Sequence, residues 1–277
     1  MPDYGLWPPT RFVRFVRGYD TSVETAQIIT DAGPAFIKAL GNRGGPHHLA
    51  CDWVGTQLAR WFGLATLEAG ILTLTEDDAI PFLRGGRAAP GPAFVTRRED
   101  GQTWDGDPAS LERIVNPEHV GRLVVFDTWV LNWDRQPPDD SRRPNFDNVF
   151  LSFESATAGR FLLKAIDHTH CFGCRAGELT TKVADISQVQ DDRIYGLFPG
   201  FRPFVTKEAV SAACGSLRGL EREWVTGIVG SIPPAWDVSG AVRGKLAELI
   251  VRRAAFVAGT IMGSLGASLW PQPELPF

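Results

Sequence analysis

Apolar and charged positions alternate over residues 10–17 (TRFVRFVR), the period of a half-buried strand. A turn at Gly18-Tyr19-Asp20 leads to 26–30 (AQIIT), which reads as the returning strand. Asp31-Ala32-Gly33-Pro34 turns the chain again before 35–40 (AFIKAL), so three strands in a meander are expected. From 48 to 62 the apolar positions 49, 53, 54, 58, 61 and 62 follow helical spacing, and Gly63 stands where a C-terminal cap belongs. Residues 70–75 read as one more strand, and 85–92 as a loop rich in Gly and Pro.

The second half has a different texture. Asn116-Pro117-Glu118 is a helix start, with an Asn cap, a Pro at the first position and an acid in the first turn. The helix predicted over 118–131 is apolar nearly all round, the mark of a core helix. After a polar loop come two strand-like runs, 148–153 and 160–166, joined by a hairpin loop at 154–159. From Thr206 onward the pattern predicts three helices, broken at 215–219 and at 231–234. The expected division is residues 1–96, strands plus one helix, and 97–277, mainly helical with a hairpin set into it.

Composition narrows the class. The 277 residues are 44% hydrophobic and 22% charged, which describes a globular chain able to bury a large core. A net charge of −4 without long runs of one sign argues against direct nucleic-acid binding. Residues 254–270 are uncharged but interrupted by Gly and Ser, and shorter than the ~20 apolar residues a span needs; a buried helix and no membrane span are expected. Met1-Pro2-Asp3-Tyr4-Gly5 lacks a positive segment followed by an apolar run, and four cysteines make no disulfide framework. A cytoplasmic setting is the expectation. Only five residues are lysines, so Lys38, flanked by apolar residues in a strand, is conspicuous.

Chemistry gathers at the ends of the second-half elements. Asp134 follows the core helix in Asn132-Trp133-Asp134-Arg135, Asn148 opens the hairpin, and Asp167 closes it in Ala165-Ile166-Asp167-His168. Core helix, Asp loop, Asn, hairpin, Asp is the order found in protein-kinase-like phosphotransferases. There the first Asp addresses the attacking hydroxyl, and the Asn and second Asp hold Mg²⁺ on the nucleotide phosphates. Phosphoryl transfer needs positioned charge neutralisation, and Mg²⁺ prefers hard oxygen donors on rigid elements. Lys38 fits as the lysine reaching the α- and β-phosphates, with Asp52 on the following helix as its acid. Asp52 lies off the apolar arc of that helix and can face either the cleft or water. Gly18, Thr21 and Ser22 would form the turn over the phosphates, although one glycine does not make a glycine-rich loop.

This ordered set resembles the HipA-like bacterial kinases. The resemblance rests on Arg17-Gly18 through Phe36-Ile37-Lys38, Gly41-Asn42 and helix 49–64. It continues through Phe126-Asp127-Thr128-Trp129-Val130-Leu131-Asn132-Trp133-Asp134-Arg135, Asn148, Ala165-Ile166-Asp167-His168 and the late Ile232-Pro233-Pro234-Ala235-Trp236. It covers roughly residues 10–240. It implies an α+β, two-lobed protein-kinase-like fold related to the phosphoinositide kinases, with a β-rich N-lobe and a mainly helical C-lobe. It also implies ATP and Mg²⁺ as cofactors, Ser/Thr phosphorylation of a protein as the expected activity, and for some members an antitoxin-like protein partner. A nucleotide-binding pseudokinase, and a same-fold kinase or AMP transferase acting on a small molecule or lipid head group, are the rival expectations.

Two departures from the family pattern stand out. The helix acid is usually Glu; Asp52 is one methylene shorter, which predicts a longer or water-bridged pair with Lys38. The loop before Asn148 carries an insert over 136–144, rich in Pro and in charges of both signs, which leaves Asn145 and Asn148 as competing metal ligands. Asn148 is favoured because it directly precedes the strand; the insert is expected to face the acceptor or to be a solvated ornament. Asp127 reads as a structural acid. His168-Thr169-His170-Cys171-Phe172-Gly173-Cys174 offers four zinc donors, but in seven consecutive residues, where closing a tetrahedron is strained; it reads as a loop.

Overall fold

The computed structural model describes residues 6–139, 142–154, 157–174 and 177–270. Strands β1 (Phe12–Gly18), β2 (Ala26–Thr30) and β3 (Gly33–Lys38) are followed by helix α1 (Pro46–Trp61), β4 (Ala69–Leu74) and β5 (Gly91–Arg97). These five strands make one antiparallel sheet in the order β1-β2-β3-β5-β4. The meander β1-β2-β3 is as the alternation predicts. Strand β1 does not alternate cleanly, however: register shifts at Phe12/Arg14 and Phe15/Arg17 leave Val13 and Val16 exposed on this edge strand. Strand β5 escapes a period-2 reading because Ala93, Phe94 and Val95 are all buried between β3 and β4.

Helix α1 ends in a Schellman motif. Leu64 N donates to Ala59 O (2.9 Å), Gly63 N donates to Arg60 O (3.0 Å), and Gly63 takes φ +80°, open to glycine at little cost. Beyond β5 come β6 (Gly101–Thr103), the single turn α2 (Pro108–Leu111), α3 (Glu118–Val130), and strands β7 (Val149–Ser152) and β8 (Leu162–Ala165). Strands β6-β7-β8 form a second antiparallel sheet. Every residue of α3 from Leu123 to Val130 is buried, as its all-round apolar surface demands. Asn116 does not cap this helix. Its amide instead brackets Leu163 of β8, Nδ2 donating to Leu163 O (3.0 Å) and Oδ1 accepting from Leu163 N (3.0 Å), as a strand neighbour would.

The short turn α4 (Ile186–Val189) precedes three longer helices, α5 (Lys207–Arg218), α6 (Arg222–Gly230) and α7 (Gly240–Leu269). Helix α5 continues through Gly215 and stops at Gly219, so the expected break over 215–219 narrows to its last residue. Helix α7 is long and apolar enough by composition to cross a membrane over Gly240–Gly266; here it packs on α3, α5 and α6, with Leu246, Leu249, Ile250, Val257, Ile261 and Leu265 buried. One apolar cluster lies in the five-stranded sheet (Ile28, Ile37, Leu72, Val95). A second, larger one joins α1, α3, the second sheet and the C-terminal helices. An indole donor ties the two regions, Trp236 Nε1 donating to Pro92 O on β5 (2.8 Å), while Trp53 Nε1 donates to Ser231 Oγ (2.9 Å) within the larger one.

Candidate active site

A cleft of about 700 Å³ opens between the five-stranded sheet, α1 and the second sheet. Lys38 enters it from the end of β3, between buried Ile37 and Ala39. Its ammonium donates directly to Asp52 Oδ2 at 2.6 Å and lies 3.1 Å from Asp167 Oδ1. The longer or bridged pair expected from the shorter acid is therefore not what forms. Asp52 is 1% exposed, faces the cleft, and α1 sits close enough to β3 for Asp to reach. Close approach is built in elsewhere on α1 as well: a side chain at Gly55 would collide with His168, so glycine lets the chain after Asp167 lie on the helix. There His168 N donates to Asp52 Oδ1 (2.9 Å).

The charge balance of this trio is uneven. Burial alone would pull the Lys38 ammonium down, but Asp167 and Asp52 more than offset it and hold it above its ordinary value. Burial pushes the Asp52 carboxyl up even beside Lys38. Burial works in the same direction on Asp167, yet Lys38 and the Thr169 hydroxyl (2.5 Å) outweigh it and keep that carboxyl ionised well below the usual range. Asp167 adopts φ +56°, a left-handed conformation rare for non-glycine residues, at the mouth of the hairpin.

Asp134 comes from the other side. Leu131 takes φ +54° at the end of α3 and redirects the chain, and Asn132 Oδ1 accepts from Asp134 N (3.2 Å). The side chains of Asn145 and Asn148 both donate to Asp134 Oδ2, each at 3.0 Å. Asn148 is 4% exposed and directly precedes β7; Asn145 stands three residues earlier and donates to Asn148 Oδ1 at 3.3 Å. Arg142, from the end of the insert, reaches to 4.0 Å from Asp134 Oδ1; insert residues 140–141 lie outside the described residues. Thr21 and Ser22 line the cleft on the β1–β2 turn, whereas Gly18 does not: it pairs with Ala26 and faces Leu83. The turn is anchored by fully buried Val23 and by Glu24, whose Oε2 accepts from Arg43 N (3.1 Å).

A family model described as HipA-like kinase matches residues 31–253. The chain belongs to the HipA-like kinase family. Among solved structures it is similar to the proinflammatory kinase CtkA of Helicobacter pylori, with 10% sequence identity over 90% of this chain and 98% of that one, at a TM-score of 0.55. At that identity the likeness speaks for the fold. No curated protein matches the chain. Family and fold together support a kinase-type phosphotransferase.

In this HipA-like kinase the cleft therefore brings together Lys38, Asp52, Asp134, Asn148 and Asp167 with Thr21 and Ser22, and leaves Gly18 out. It adds His170, Tyr19 and Arg142, which periodicity does not single out, and rests on Arg135, which the sequence shows only as the end of Asn132-Trp133-Asp134-Arg135. The segment 168–174 is folded into the core, with Cys171 and Cys174 buried beside Cys51, and burial pushes the Cys51 and Cys171 thiols up. Among the described residues no three His, Cys, Asp or Glu side chains gather closely enough to hold a metal unaided. The oxygen donors of Asn148 and Asp167 fit a Mg²⁺ ion that takes its remaining ligands from phosphate and water, as Mg²⁺ commonly does. The excess of carboxylate over ammonium around Lys38 suits such a cation.

Proposed function

We propose that this protein is an ATP- and Mg²⁺-dependent kinase that phosphorylates Ser or Thr hydroxyls of a protein. The observation that carries the reading is the convergence of Lys38, Asp52, Asp134, Asn148 and Asp167 from five separate segments on one cleft. Residues 1–96 serve as an N-lobe and 97–277 as a C-lobe, although a boundary at 96 falls one residue short of the end of β5. Bound between them, Mg²⁺ would supply charge neutralisation on the nucleotide phosphates. Lys38 orients the α- and β-phosphates, and Asp52 holds Lys38 extended into the cleft. Asn148 Oδ1 and the Asp167 carboxylate are the metal ligands. Asp134, with Oδ2 fixed by two amides, presents Oδ1 to the acceptor hydroxyl as orienting group and base.

Incubation with γ-labelled and, separately, α-labelled ATP tests the reading. Label passing from the γ position to protein supports a kinase. Transfer from the α position makes the enzyme an AMP transferase, and nucleotide binding without transfer makes it a pseudokinase. The direct Lys38–Asp52 bond weighs against the last, for which the shorter acid and the lack of a glycine-rich loop both speak in the sequence. A protein acceptor and an antitoxin-like partner follow the family resemblance, a cytoplasmic setting follows the cysteine usage, and all three are part of the proposal.

A further inference from the structure

Directly beneath the cleft lies a buried ion pair that stability alone does not require. Arg135 and Asp127 are both fully buried. The Arg135 guanidinium spans three segments. Its Nη1 donates to Asp127 Oδ1 on α3, its Nε to the Asn148 carbonyl (3.1 Å), and its Nη2 to the Ile166 carbonyl (2.7 Å). The Arg135 carbonyl in turn accepts from Asn145 N (2.8 Å). Asp127 Oδ1 also accepts from Asn132 Nδ2 (3.0 Å), and Asn132 is the residue whose Oδ1 holds Asp134 N. A side chain at Gly196 would strike the Asp127 carboxylate, so its orientation is enclosed as well.

Each atom this pair touches is one step from the site. Asp134 precedes Arg135 in the chain, the Asn148 carbonyl belongs to the amide residue itself, and the Ile166 carbonyl lies in the peptide that begins Asp167. Burying an arginine with one carboxylate is expensive, and apolar residues of similar volume commonly stabilise a core as well or better. What apolar residues cannot supply is a rigid planar fork that fixes two carbonyls at a set separation.

We propose, resting on the kinase reading, that Arg135 is a positioning residue, held by Asp127, that sets the spacing of Asn148 and Asp167 and so the affinity of the site for a divalent metal with nucleotide. Outer-shell partners of metal ligands typically account for about 10–100-fold in metal affinity.

The test compares the parent, Arg135→Lys, and the double variant Asp127→Leu/Arg135→Met. Thermal unfolding is measured for each, along with Mn²⁺ affinity by electron paramagnetic resonance in the presence of a non-hydrolysable ATP analogue, and analogue affinity without metal. The double variant strands no charge but leaves the Asn148 and Ile166 carbonyls without the guanidinium, so it is expected to fold with a melting temperature lower by roughly 10 °C. Its Mn²⁺ affinity should fall about tenfold or more, with metal-free nucleotide binding unchanged. Arg135→Lys keeps the charge opposite Asp127 but cannot reach both carbonyls, so its Mn²⁺ affinity should fall too; this variant decides the matter if the double variant does not fold. Parent-like Mn²⁺ affinity in a folded variant overturns the positioning role and leaves the kinase reading standing. A parent that gains no metal-dependent nucleotide affinity overturns both.

Discussion

Two lysines in this chain look alike in sequence and are used differently. Lys38 ends Phe36-Ile37-Lys38, Lys164 sits in Leu162-Leu163-Lys164-Ala165, and both are buried, at 8% and 7% exposure. Both ammonium groups reach a carboxylate at 2.6 Å. Lys164 meets one acid, Glu99, through both oxygens, and the Ser152 hydroxyl donates to Oε2 at 2.9 Å. That cluster is balanced in charge and closed. Lys38 meets two acids, Asp52 and Asp167, and lines an open cleft with Asp134 across from it. A balanced pair locks two segments together. One cation shared by two carboxylates leaves negative charge with room beside it, and that surplus is what the proposed metal site draws on.

The largest effect that sharpens the contrast belongs to Asp167→Asn. Removing the carboxylate that Lys38 shares should abolish Mg·ATP-induced thermal stabilisation. Transfer should fall by about 10³-fold or more, the scale of other charge-stabilising groups in phosphoryl transfer. Circular dichroism should show an unchanged fold, because Lys38 keeps Asp52 as its partner. A variant that turns over ATP like the parent would break the assignment of the cleft.

Next in size is the exchange of the two lysines for methionine. Lys38→Met should lower transfer about 10²–10³-fold, as loss of a preorganised charge does, with little loss of stability. Asp52, already pushed up by burial, can take a proton when its partner leaves. Lys164→Met should do the reverse. Stranding Glu99 between β5 and β6 costs about 3–5 kcal/mol, or a melting temperature lower by roughly 10 °C, with transfer per folded molecule unchanged. If both variants lose activity in proportion to stability, the two pairs are one kind of staple and the comparison fails.

How much of this was legible beforehand follows from what each signal depends on. Strands β2 and β3 and helices α1 and α3 are local patterns and form where the sequence predicts them, and Asp134, Asn148 and Asp167 come to line one cleft. Strand β5 was lost because a strand covered on both faces has no alternation to see. Asn116 was misassigned because an amide before Pro-Glu looks like a cap whether or not a neighbouring strand claims it first. The Lys38–Asp52 distance is shorter than the sequence predicts because side-chain length is only half of it; the other half is how near α1 lies to β3, which no local pattern encodes. Gly18 was drawn into the site by its residue type, yet the register of β1 against β2 turns it toward Leu83. The role of Arg135 is invisible in its motif for a similar reason: its partners Asp127, Asn148 and Ile166 are distant in the chain or hidden as carbonyls.

The smallest effect separates the two clusters most finely, because it deletes the same group from each. Ser152→Ala removes a hydroxyl that donates to Glu99 in the closed pair, and Thr169→Ala does so at Asp167, where the hydroxyl lies 2.5 Å from Oδ1. Both residues are essentially inaccessible to solvent. Loss of either hydrogen bond should cost about 1–2 kcal/mol, a shift of a few degrees in melting temperature. For Ser152→Ala that is the whole expected outcome, since Glu99 keeps both contacts to Lys164. Thr169→Ala should add a severalfold weaker Mn²⁺ affinity, because the hydroxyl fixes the Asp167 carboxylate toward Lys38, and Thr169→Ser, which keeps the oxygen, should restore it. Equal melting shifts with identical metal binding in the two alanine variants would mean that Asp167 is as inert as Glu99.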